Sequence, residues 1–176
     1  SGKEAIMLVP EISLTPMMVS RFKGRFGDKV ALLHSGLSIG EKYDEWRKIR
    51  RKEVKVCVGA RSAIFAPFTN LGAIIIDEEH TESYKQDDNP TYHAKDVAKI
   101  RCAHYDIPLI LGSATPEVES YYKALNKEYV LLEMLERANN MVLPNVFIED
   151  MRFEFQGGNR SIFSKKLESL IIDRLE

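Results

Sequence analysis

The chain has 176 residues, of which 44% are hydrophobic, and this composition excludes a disordered or fibrous protein in favour of a globular domain with its own core. Its 25 Lys and Arg residues are balanced by 26 Asp and Glu, so the net charge of -1 excludes a global basic field and leaves only local contacts with DNA. Cys57 and Cys102 match no metal spacing or disulfide framework, and the apolar runs are strand-sized, so we expect a cytoplasmic protein with no membrane role.

Short apolar runs alternate with amphipathic stretches as far as Leu132, which is typical of βαβ units in a parallel sheet. Helices are expected between the strands, because a parallel pair needs a crossover connection. The predicted strands are Ala5 to Val9, Val30 to His34, Val54 to Val58, Ala73 to Asp77 and Pro108 to Gly112.

Four helices are predicted from their start and stop signals. Ser or Thr before a helix accepts a hydrogen bond from its first turn, and Pro is tolerated inside that turn. On this basis Thr115, which is followed by Pro116, is predicted to cap the fourth helix. The other three are predicted after Thr15 with a stop at Gly27, after Ser38 with a capping box to Glu41, and from His93 to His104.

Beyond Leu132 the apolar pattern loosens into turn-forming residues, with one short strand predicted at Val146 to Asp150. Ser164 then caps a helix with an apolar face, and such a face needs a partner that we expect to lie beyond Glu176. The face consists of Leu167, Leu170, Ile171 and Leu175. We therefore expect a first domain over residues 1–132, a linker over 133–163 and the first helix of a second domain over 164–176.

Polar residues follow four of the five predicted strands, at the sheet edge where parallel α/β proteins bind ligands. The clearest case is IIIDEEH, from Ile74 to His80. As a Walker B box, it would hold magnesium through Asp77 and orient or deprotonate the attacking water through Glu78. A solvated acidic loop after a core strand is the alternative. The phosphate-binding partner motif, GxxxxGK[ST], is absent, and the Gly2-Lys3 pair is better explained as a turn before a strand.

Three further segments carry groups suited to nucleic-acid contacts. GSATP follows the last predicted strand, and its hydroxyls equally suit a simple strand-to-helix turn. The loop from His80 to His93 places tyrosines where they can stack on unpaired bases, although surface tyrosines are common. Arg61-Ser62 and Ser13 to Thr15 offer guanidinium and hydroxyl groups for phosphate.

The Glu79-His80 pair, with His93 and His104, offers metal-ligating side chains of the kind found in metal-dependent hydrolases. No HExxH motif is present. On one helix, His93 and His104 would be separated by about 16 Å at ~1.5 Å per residue, which is too far for one metal.

In this order, the motifs resemble the primosomal protein N′ family, the bacterial superfamily 2 DNA helicases of replication restart. The resemblance covers nearly the whole chain, and GARSAIFAPF and the run from DEEH through SYKQ to YHAKD are its most specific parts. The matching segments are Leu8 to Pro16, Leu32 to Ile49, Val56 to Phe68, Ile74 to Gln86, Pro90 to Ala98 and Leu109 to Ser120. The chain departs from the family at Met17, where Gln is expected, and at Lys42, Thr91 and Lys95, where Arg is expected.

The resemblance implies an α/β fold, a RecA-like P-loop NTPase helicase domain with a parallel sheet flanked by helices. It implies that Asp77 and Glu78 bind ATP and its magnesium, with Glu78 as the catalytic base. His80 and Gln86 would couple the nucleotide site to DNA, and Ser113 and Thr115 would link hydrolysis to domain movement. The implied DNA contacts are Pro10, Glu11, Ser13, Thr15, Arg61 and Ser62, with Tyr84 and Lys85 in an aromatic-rich loop that senses DNA.

The resemblance also implies parts that this sequence lacks. The phosphate loop would precede Ser1, on a strand beside the one that ends in GSAT, so that the sheet is truncated there and leaves an unpaired edge. A second motor domain and a zinc-binding cysteine module would follow Glu176, so zinc is expected in the parent protein and not here. The implied partners are single-stranded and forked DNA, primosome-loading proteins and single-strand binding protein. These 176 residues alone are therefore expected not to hydrolyse ATP.

Three alternatives remain open from the sequence. The parent protein would be another superfamily 2 translocase if it lacks the zinc module. A non-catalytic module that binds nucleic acid or a protein partner would share the fold without the nucleotide site. A plain α/β domain would use its loop acids only for solvation.

Overall fold

The computed structural model describes residues 2–135 and 145–175. It divides into two compact units, Ser1–Leu131 and Leu132–Glu176. Part of the predicted linker, residues 136–144, lies outside the described residues. The division into a first domain, linker and second domain stays a prediction.

The described residues contain seven strands, six α-helices and several short 3-10 turns. The strands are β1 (Glu4–Leu8), β2 (Val30–Leu33), β3 (Val56–Gly59), β4 (Leu71–Ile76), β5 (Lys85–Gln86), β6 (Tyr92–His93) and β7 (Leu109–Leu111). The helices are α1 (Pro16–Phe26), α2 (Ile39–Arg50), α3 (Ala94–Tyr105), α4 (Val118–Leu125), α5 (Met151–Gln156) and α6 (Lys165–Leu175).

Five of the strands form one parallel sheet in the order β2-β3-β1-β4-β7. At its centre, Ile6 lies opposite Cys57 on β3 and Ile74 on β4, and all three side chains are fully buried. The strands of a parallel sheet read as near-continuous apolar runs. The sequence located all five strands by this signal. The predicted parallel α/β fold is confirmed.

The caps predicted for the first two helices agree with the structure. The Thr15 hydroxyl accepts a hydrogen bond from the Met18 amide at 3.3 Å, and Gly27, with φ of 59°, ends α1. At α2 both halves of the Ser38-Glu41 capping box are present. Each cap satisfies amide groups that the first helical turn leaves without a backbone partner.

The start of α4 differs from the prediction. The helix begins at Val118, so Glu117 and not Thr115 occupies the cap position. The Thr115 amide donates instead to the Ser113 hydroxyl at 2.9 Å, and the Glu117 amide donates to a carboxylate oxygen of Glu79 at 2.7 Å. The local turn at Ser113 and the tertiary contact from Glu79 hold residues 113–117 outside the helix and override the local cap signal.

The second unit contains a helix where the sequence predicted a connector. No strand forms at residues 146–150 within the described part of this unit, and the predicted strand there is wrong. Asp150 instead caps α5, because its carboxylate accepts a hydrogen bond from the Arg152 amide at 2.9 Å. The predicted cap at Ser164 is confirmed, since its hydroxyl accepts from the Leu167 amide at 3.1 Å.

The two edge strands of the five-stranded sheet, β2 and β7, differ in how they are covered by other residues. The carboxylate of Glu45 on α2 accepts a hydrogen bond from the Leu32 amide of β2 at 2.9 Å. This contact satisfies an amide that an edge strand would otherwise leave open. At the other edge lies β7, the strand that leads into GSAT, and the side chain of Ile110 is exposed there.

Candidate functional site

Parallel strands carry their following residues to one edge of the sheet, so three predicted segments converge. The GARS turn (Gly59 to Ser62) follows β3, the DEEH turn (Asp77 to His80) follows β4, and the SATP segment (Ser113 to Pro116) follows β7. The fourth predicted segment, Pro10 to Thr15, follows β1 at the same edge. The four predicted segments therefore lie at one edge of the sheet, and their functional roles stay a prediction.

Asp77 is fixed by the backbone on several sides. Its amide donates to the Leu8 carbonyl at 2.9 Å, and its own carbonyl accepts from the Tyr84 hydroxyl at 2.6 Å. Its Oδ1 accepts a hydrogen bond from the Glu78 amide at 3.0 Å. A Cβ atom added at Gly112 would lie 3.5 Å from the same oxygen, in ordinary contact. The carboxylate therefore occupies a defined position at the end of a buried strand.

Glu78 has a left-handed backbone conformation, with φ of 46°. Such a conformation costs a non-glycine residue roughly 1–2 kcal/mol, and it persists because the surrounding contacts fix the chain. The Thr81 amide donates to the Glu78 carbonyl at 2.9 Å, which closes the turn. The side chain remains 43% exposed, and its carboxylate lies 3.6 Å from Nδ1 of His80. Strain thus coincides with an accessible carboxylate.

The DEEH turn and the SATP segment are joined directly. Nδ1 of His80 lies 2.8 Å from the Ser113 hydroxyl, which also accepts a hydrogen bond from the Thr115 amide at 2.9 Å. The Glu79 amide donates to the Gly112 carbonyl at 3.0 Å. The structure therefore brings the predicted residues Asp77, Glu78, His80, Ser113 and Thr115 into one cluster.

The sequence reasoning missed a buried ion pair behind this cluster. The side chains of Glu79 and Lys95 are 1% and 7% exposed, and their charged atoms lie 2.5 Å apart. Burial alone would raise the pKa of Glu79, but the Lys95 ammonium, the Glu117 amide and the Ser120 hydroxyl hold that pKa below its usual value. Burial likewise disfavours the charged form of Lys95, yet hydrogen bonds to Glu117 and Glu79 raise its pKa. The signal in the sequence that points to this ion pair is the third carboxylate of DEEH, Glu79.

The predicted role of Tyr84 in stacking on DNA needs correction. Its side chain is only 1% exposed, and its hydroxyl is bound to the Asp77 carbonyl. Burial, followed by the nearby Asp77 and Glu78 charges, raises the pKa of Tyr84, so the phenol stays neutral. A ring enclosed in this way cannot stack on a base, and it supports the acidic turn instead.

An exposed aromatic ring, Phe65, and a half-buried one, Tyr92, lie nearby. Phe65 is 45% exposed, and its ring packs edge-on against Tyr92 with centroids 5.1 Å apart. The Arg61 guanidinium lies 5.9 Å from the centroid of Tyr92 and donates to the Lys85 carbonyl. Phe65 lies within the GARSAIFAPF motif, where no local pattern distinguishes it from the neighbouring apolar residues.

The other predicted residues have local partners. The Gln86 side-chain amide donates to the Pro90 carbonyl at 3.2 Å, inside the small antiparallel β5-β6 pair. Lys85 forms an exposed ion pair with Asp87 at 2.8 Å. Gln86 thus contacts its own hairpin, and the described hydrogen bonds do not bring it to the acidic cluster.

The segment after β1 is ordered by its own polar side chains. A carboxylate oxygen of Glu11 accepts a hydrogen bond from the Ser35 amide at 3.0 Å. Hydrogen bonding to the Ser35 side chain, followed by this amide bond, holds the pKa of Glu11 below its usual value. The Thr15 hydroxyl caps α1. Pro10 precedes a short 3-10 turn over Glu11–Ser13, and Ser13 is its last residue. These residues lie at the expected sheet edge, and their DNA contacts stay a prediction.

Three other features of the described residues bear on function. Among the described residues, no group of three or more His, Cys, Asp or Glu side chains is arranged to hold a metal ion. Within the same ranges, every helix is too short or too polar to cross a membrane. Cys57 and Cys102 are buried and free, and burial raises the pKa of both thiols.

In this parallel sheet a DExH tetrapeptide follows the buried strand β4, and a Ser-Ala-Thr segment follows the neighbouring strand β7. A contact between His80 and Ser113 joins the two segments. This arrangement defines a helicase-type RecA-like domain. Residues 1–124 match the DEAD/DEAH box helicase family, and the chain belongs to that family.

Comparison with curated proteins narrows this assignment. The chain is 65% identical over 166 residues to the replication restart protein PriA of Bacillus subtilis, covering 94% of this chain and 21% of that protein. It is 49% identical over 175 residues to the same protein of Synechocystis, covering 97% and 21%. The resemblance read from the sequence is confirmed. The chain spans about a fifth of the length of these relatives.

Among solved structures, RecG bound to a three-way DNA junction is 23% identical to this chain, with a TM-score of 0.48. The match covers 72% of this chain and 16% of that one.

Proposed function

We propose that this chain is part of the first motor domain of an ATP-dependent DNA helicase that acts at stalled or branched replication forks in replication restart. The junction between the DEEH turn and the SATP segment carries this proposal, because two carboxylates and two hydroxyl-bearing residues meet where such motors bind nucleotide. The names of the similar proteins support the place in replication restart.

Asp77 and Glu78 are the residues that would hold the magnesium ion of bound ATP. Their chemistry fits that ion, which prefers carboxylate oxygens, keeps several waters and is shared with substrate phosphates. When bound, the ion would neutralise phosphate charge. The fixed carboxylate of Asp77 suits coordination of the metal ion. The accessible carboxylate of Glu78 suits acceptance of a proton from water.

His80 and Ser113 provide the physical connection between the acids and the neighbouring strand end. A shift of the SATP segment would change the His80 hydrogen bond and with it the surroundings of Glu78, 3.6 Å away. We assign Ser113 and Thr115 to this coupling. Gln86 would join it only after a change in its hairpin, since its amide is now bound to the Pro90 carbonyl.

Single-stranded DNA is the proposed ligand of the same sheet edge. Pro10 to Thr15 and Arg61-Ser62 would contact the phosphate backbone, because hydroxyls, backbone amides and guanidinium groups suit that role. Phe65 and Tyr92 replace Tyr84 as the proposed stacking residues, since their rings pair at the surface. Lys85, exposed beside them, would add positive charge.

We propose that the parent protein contains three parts outside this sequence: the phosphate-binding loop, the second motor domain and the zinc module. Residues 1–132 would be the first motor domain, 133–163 the linker and 164–176 the start of the second domain. Primosome-loading proteins and single-strand binding protein are the proposed protein partners. This chain alone is expected not to hydrolyse ATP, because the phosphate loop supplies a major share of the electrostatic stabilisation.

The test is DNA-stimulated ATP hydrolysis by the full-length gene product that carries this chain. Asp77→Ala and Glu78→Gln should each lower the rate by about 100-fold or more, as loss of a group that stabilises the transition state does. Glu119→Gln, which removes an exposed carboxylate on α4, is the control and should match the wild type. An inactive wild type, or acidic-site variants that retain its rate, would reduce the assignment to the fold alone.

A further inference from the structure

Glu79 contacts both ends of the SATP segment. Its backbone amide donates to the Gly112 carbonyl at 3.0 Å, just before the segment. One carboxylate oxygen accepts from the Glu117 amide at 2.7 Å, just after it. The other accepts from the Ser120 hydroxyl at 3.0 Å, in the first turn of α4. One residue, adjacent to the proposed catalytic base, therefore spans the whole segment.

Lys95 at the start of α3 completes this arrangement. Its ammonium contacts the Glu79 carboxylate at 2.5 Å, the Glu117 carboxylate and, at 3.3 Å, the Ser120 hydroxyl. All polar atoms of Glu79 and Lys95 that are buried have a hydrogen-bond partner in the described structure. The cluster therefore joins the DEEH turn, α3 and the segment that precedes α4.

The physical cost of the cluster indicates a role beyond stability. Removing two opposite charges from water offsets most of their mutual attraction, so a buried ion pair adds little net stability over apolar side chains. Its directed hydrogen bonds, in contrast, define one geometry. The Glu117 carboxylate is 48% exposed, whereas Glu79 is 1% exposed, so the contact between Lys95 and Glu117 is the accessible part of the cluster.

We propose that Glu79 and Lys95 are positioning residues that set the distance between the SATP segment and the carboxylates of Asp77 and Glu78. The inference rests on the proposed function and adds to it a second, buried connection between these two segments. The exposed contact between His80 and Ser113 joins them at the surface, whereas Glu79 fixes the ends of the segment from beneath. Neither Glu79 nor Lys95 is assigned to contact substrate.

The primary test uses the full-length protein with Lys95→Met, which keeps the length of the side chain and removes its charge. The kcat of DNA-stimulated ATP hydrolysis should fall by about 10-fold to 100-fold, because a displacement of about 1 Å at a catalytic site has effects of this size. The KM for ATP should stay within about threefold, since Lys95 does not bind substrate. Lys95→Arg, which restores the cation, should recover at least about a third of the wild-type kcat.

Lys99→Met is the matched control. Lys99 lies one turn further along α3 with a side chain that is 37% exposed, and it pairs with the exposed Asp96 at 3.1 Å. This variant should match the wild type in kcat and KM. All rates are measured well below the thermal unfolding midpoint of each variant, so that a general loss of folding is separated from a loss of positioning.

Two milder variants keep the test decisive if Lys95→Met does not fold. Glu117→Gln removes the exposed partner charge, and Ser120→Ala removes one hydrogen bond from Glu79. Each should lower kcat by about 3-fold to 10-fold with an unchanged KM, as partial loss of positioning does. If both retain the wild-type kcat, the positioning role is overturned.

The outcomes distinguish this inference from the function on which it rests. If the wild type is active and a folded Lys95→Met variant has the same kcat, the positioning role is overturned and the proposed function is left intact. A wild type without DNA-stimulated hydrolysis overturns both. A fall in kcat for Lys95→Met with recovery in Lys95→Arg supports the inference.

Discussion

The GARS turn follows β3 and the DEEH turn follows β4, on either side of β1 in one sheet. Different interactions hold the two turns in place. A Cβ atom at Gly59 would lie 2.2 Å from the Leu33 carbonyl oxygen and 2.6 Å from the Cβ of Ala63, so this turn depends on close packing. The DEEH turn depends on charge and hydrogen bonding, with Glu79 enclosed by an ammonium, an amide and a hydroxyl.

This difference predicts what each turn responds to. Close packing of backbone atoms does not depend on protonation or ligand charge, so the GARS turn should keep its shape as conditions change. A buried charged cluster responds to any change in charge near it, because the protein interior screens charges weakly. The proposed DNA side is therefore built as a rigid surface, and the proposed nucleotide side as a responsive one.

The largest effect is expected from Gly59→Ala. The added methyl group has no space, so the backbone of β2 or the 3-10 turn must shift, and we expect a loss of about 3 kcal/mol in unfolding free energy. Chemical denaturation of the full-length protein measures it. Gly24→Ala in α1 is the control, since nothing lies within 4 Å of its added Cβ and alanine favours a helix by ~1 kcal/mol. Equal stability of both variants would show that the GARS turn is not limited by packing.

A smaller, pH-dependent effect is expected from Glu79→Gln. Because the folded-state pKa of Glu79 is below its ordinary value of 4.5, the folded state binds fewer protons than the unfolded chain. The stability from this carboxylate is therefore complete above pH 4.5 and is lost as the pH falls through the folded-state pKa.

At neutral pH, Glu79→Gln should cost about 2 kcal/mol, since Lys95 loses its buried partner charge. The difference in unfolding free energy between variant and wild type should then shrink as the pH is lowered below 4.5. Denaturation series at several pH values measure this. Glu119→Gln, on an exposed ion pair, should show no measurable difference at any pH. A constant difference for Glu79→Gln would show that its charge is not the stabilising feature.

The smallest effect is expected from Glu78→Gly, and it has the opposite sign. Glycine adopts a positive φ without steric cost, so the variant should gain about 0.5–1 kcal/mol in stability while losing the proposed ATP hydrolysis. Lys127→Gly, at a φ of 63° after α4, should gain similarly and keep the activity. A destabilised Glu78→Gly protein would show that this side chain contributes to stability and that the backbone strain is not a cost of function.

Local patterns identified most of the fold because each pattern has its own physical cause. The apolar runs of β1 and β4 alternate between buried and half-buried side chains. The cap residues Thr15 and Ser38 satisfy amides of their own helices. The same logic failed at Thr115 and at Val146 to Asp150. At Thr115 the start of α4 depended on a contact from Glu79. At residues 145–150, no neighbouring strand is present in the described structure to form a pair. A local pattern contains neither kind of information.

The sequence by itself determined the order of the strands along the chain, the polar segments at their ends, and the family to which the chain belongs. Only the tertiary structure decided that Tyr84 is buried beneath Asp77, and that Glu79 and Lys95 form a buried pair. The reason is that burial of a polar side chain depends on partners distant in sequence, here 7 residues away for Tyr84 and Asp77 and 16 for Lys95 and Glu79. Such partners have no periodicity that a single sequence can reveal.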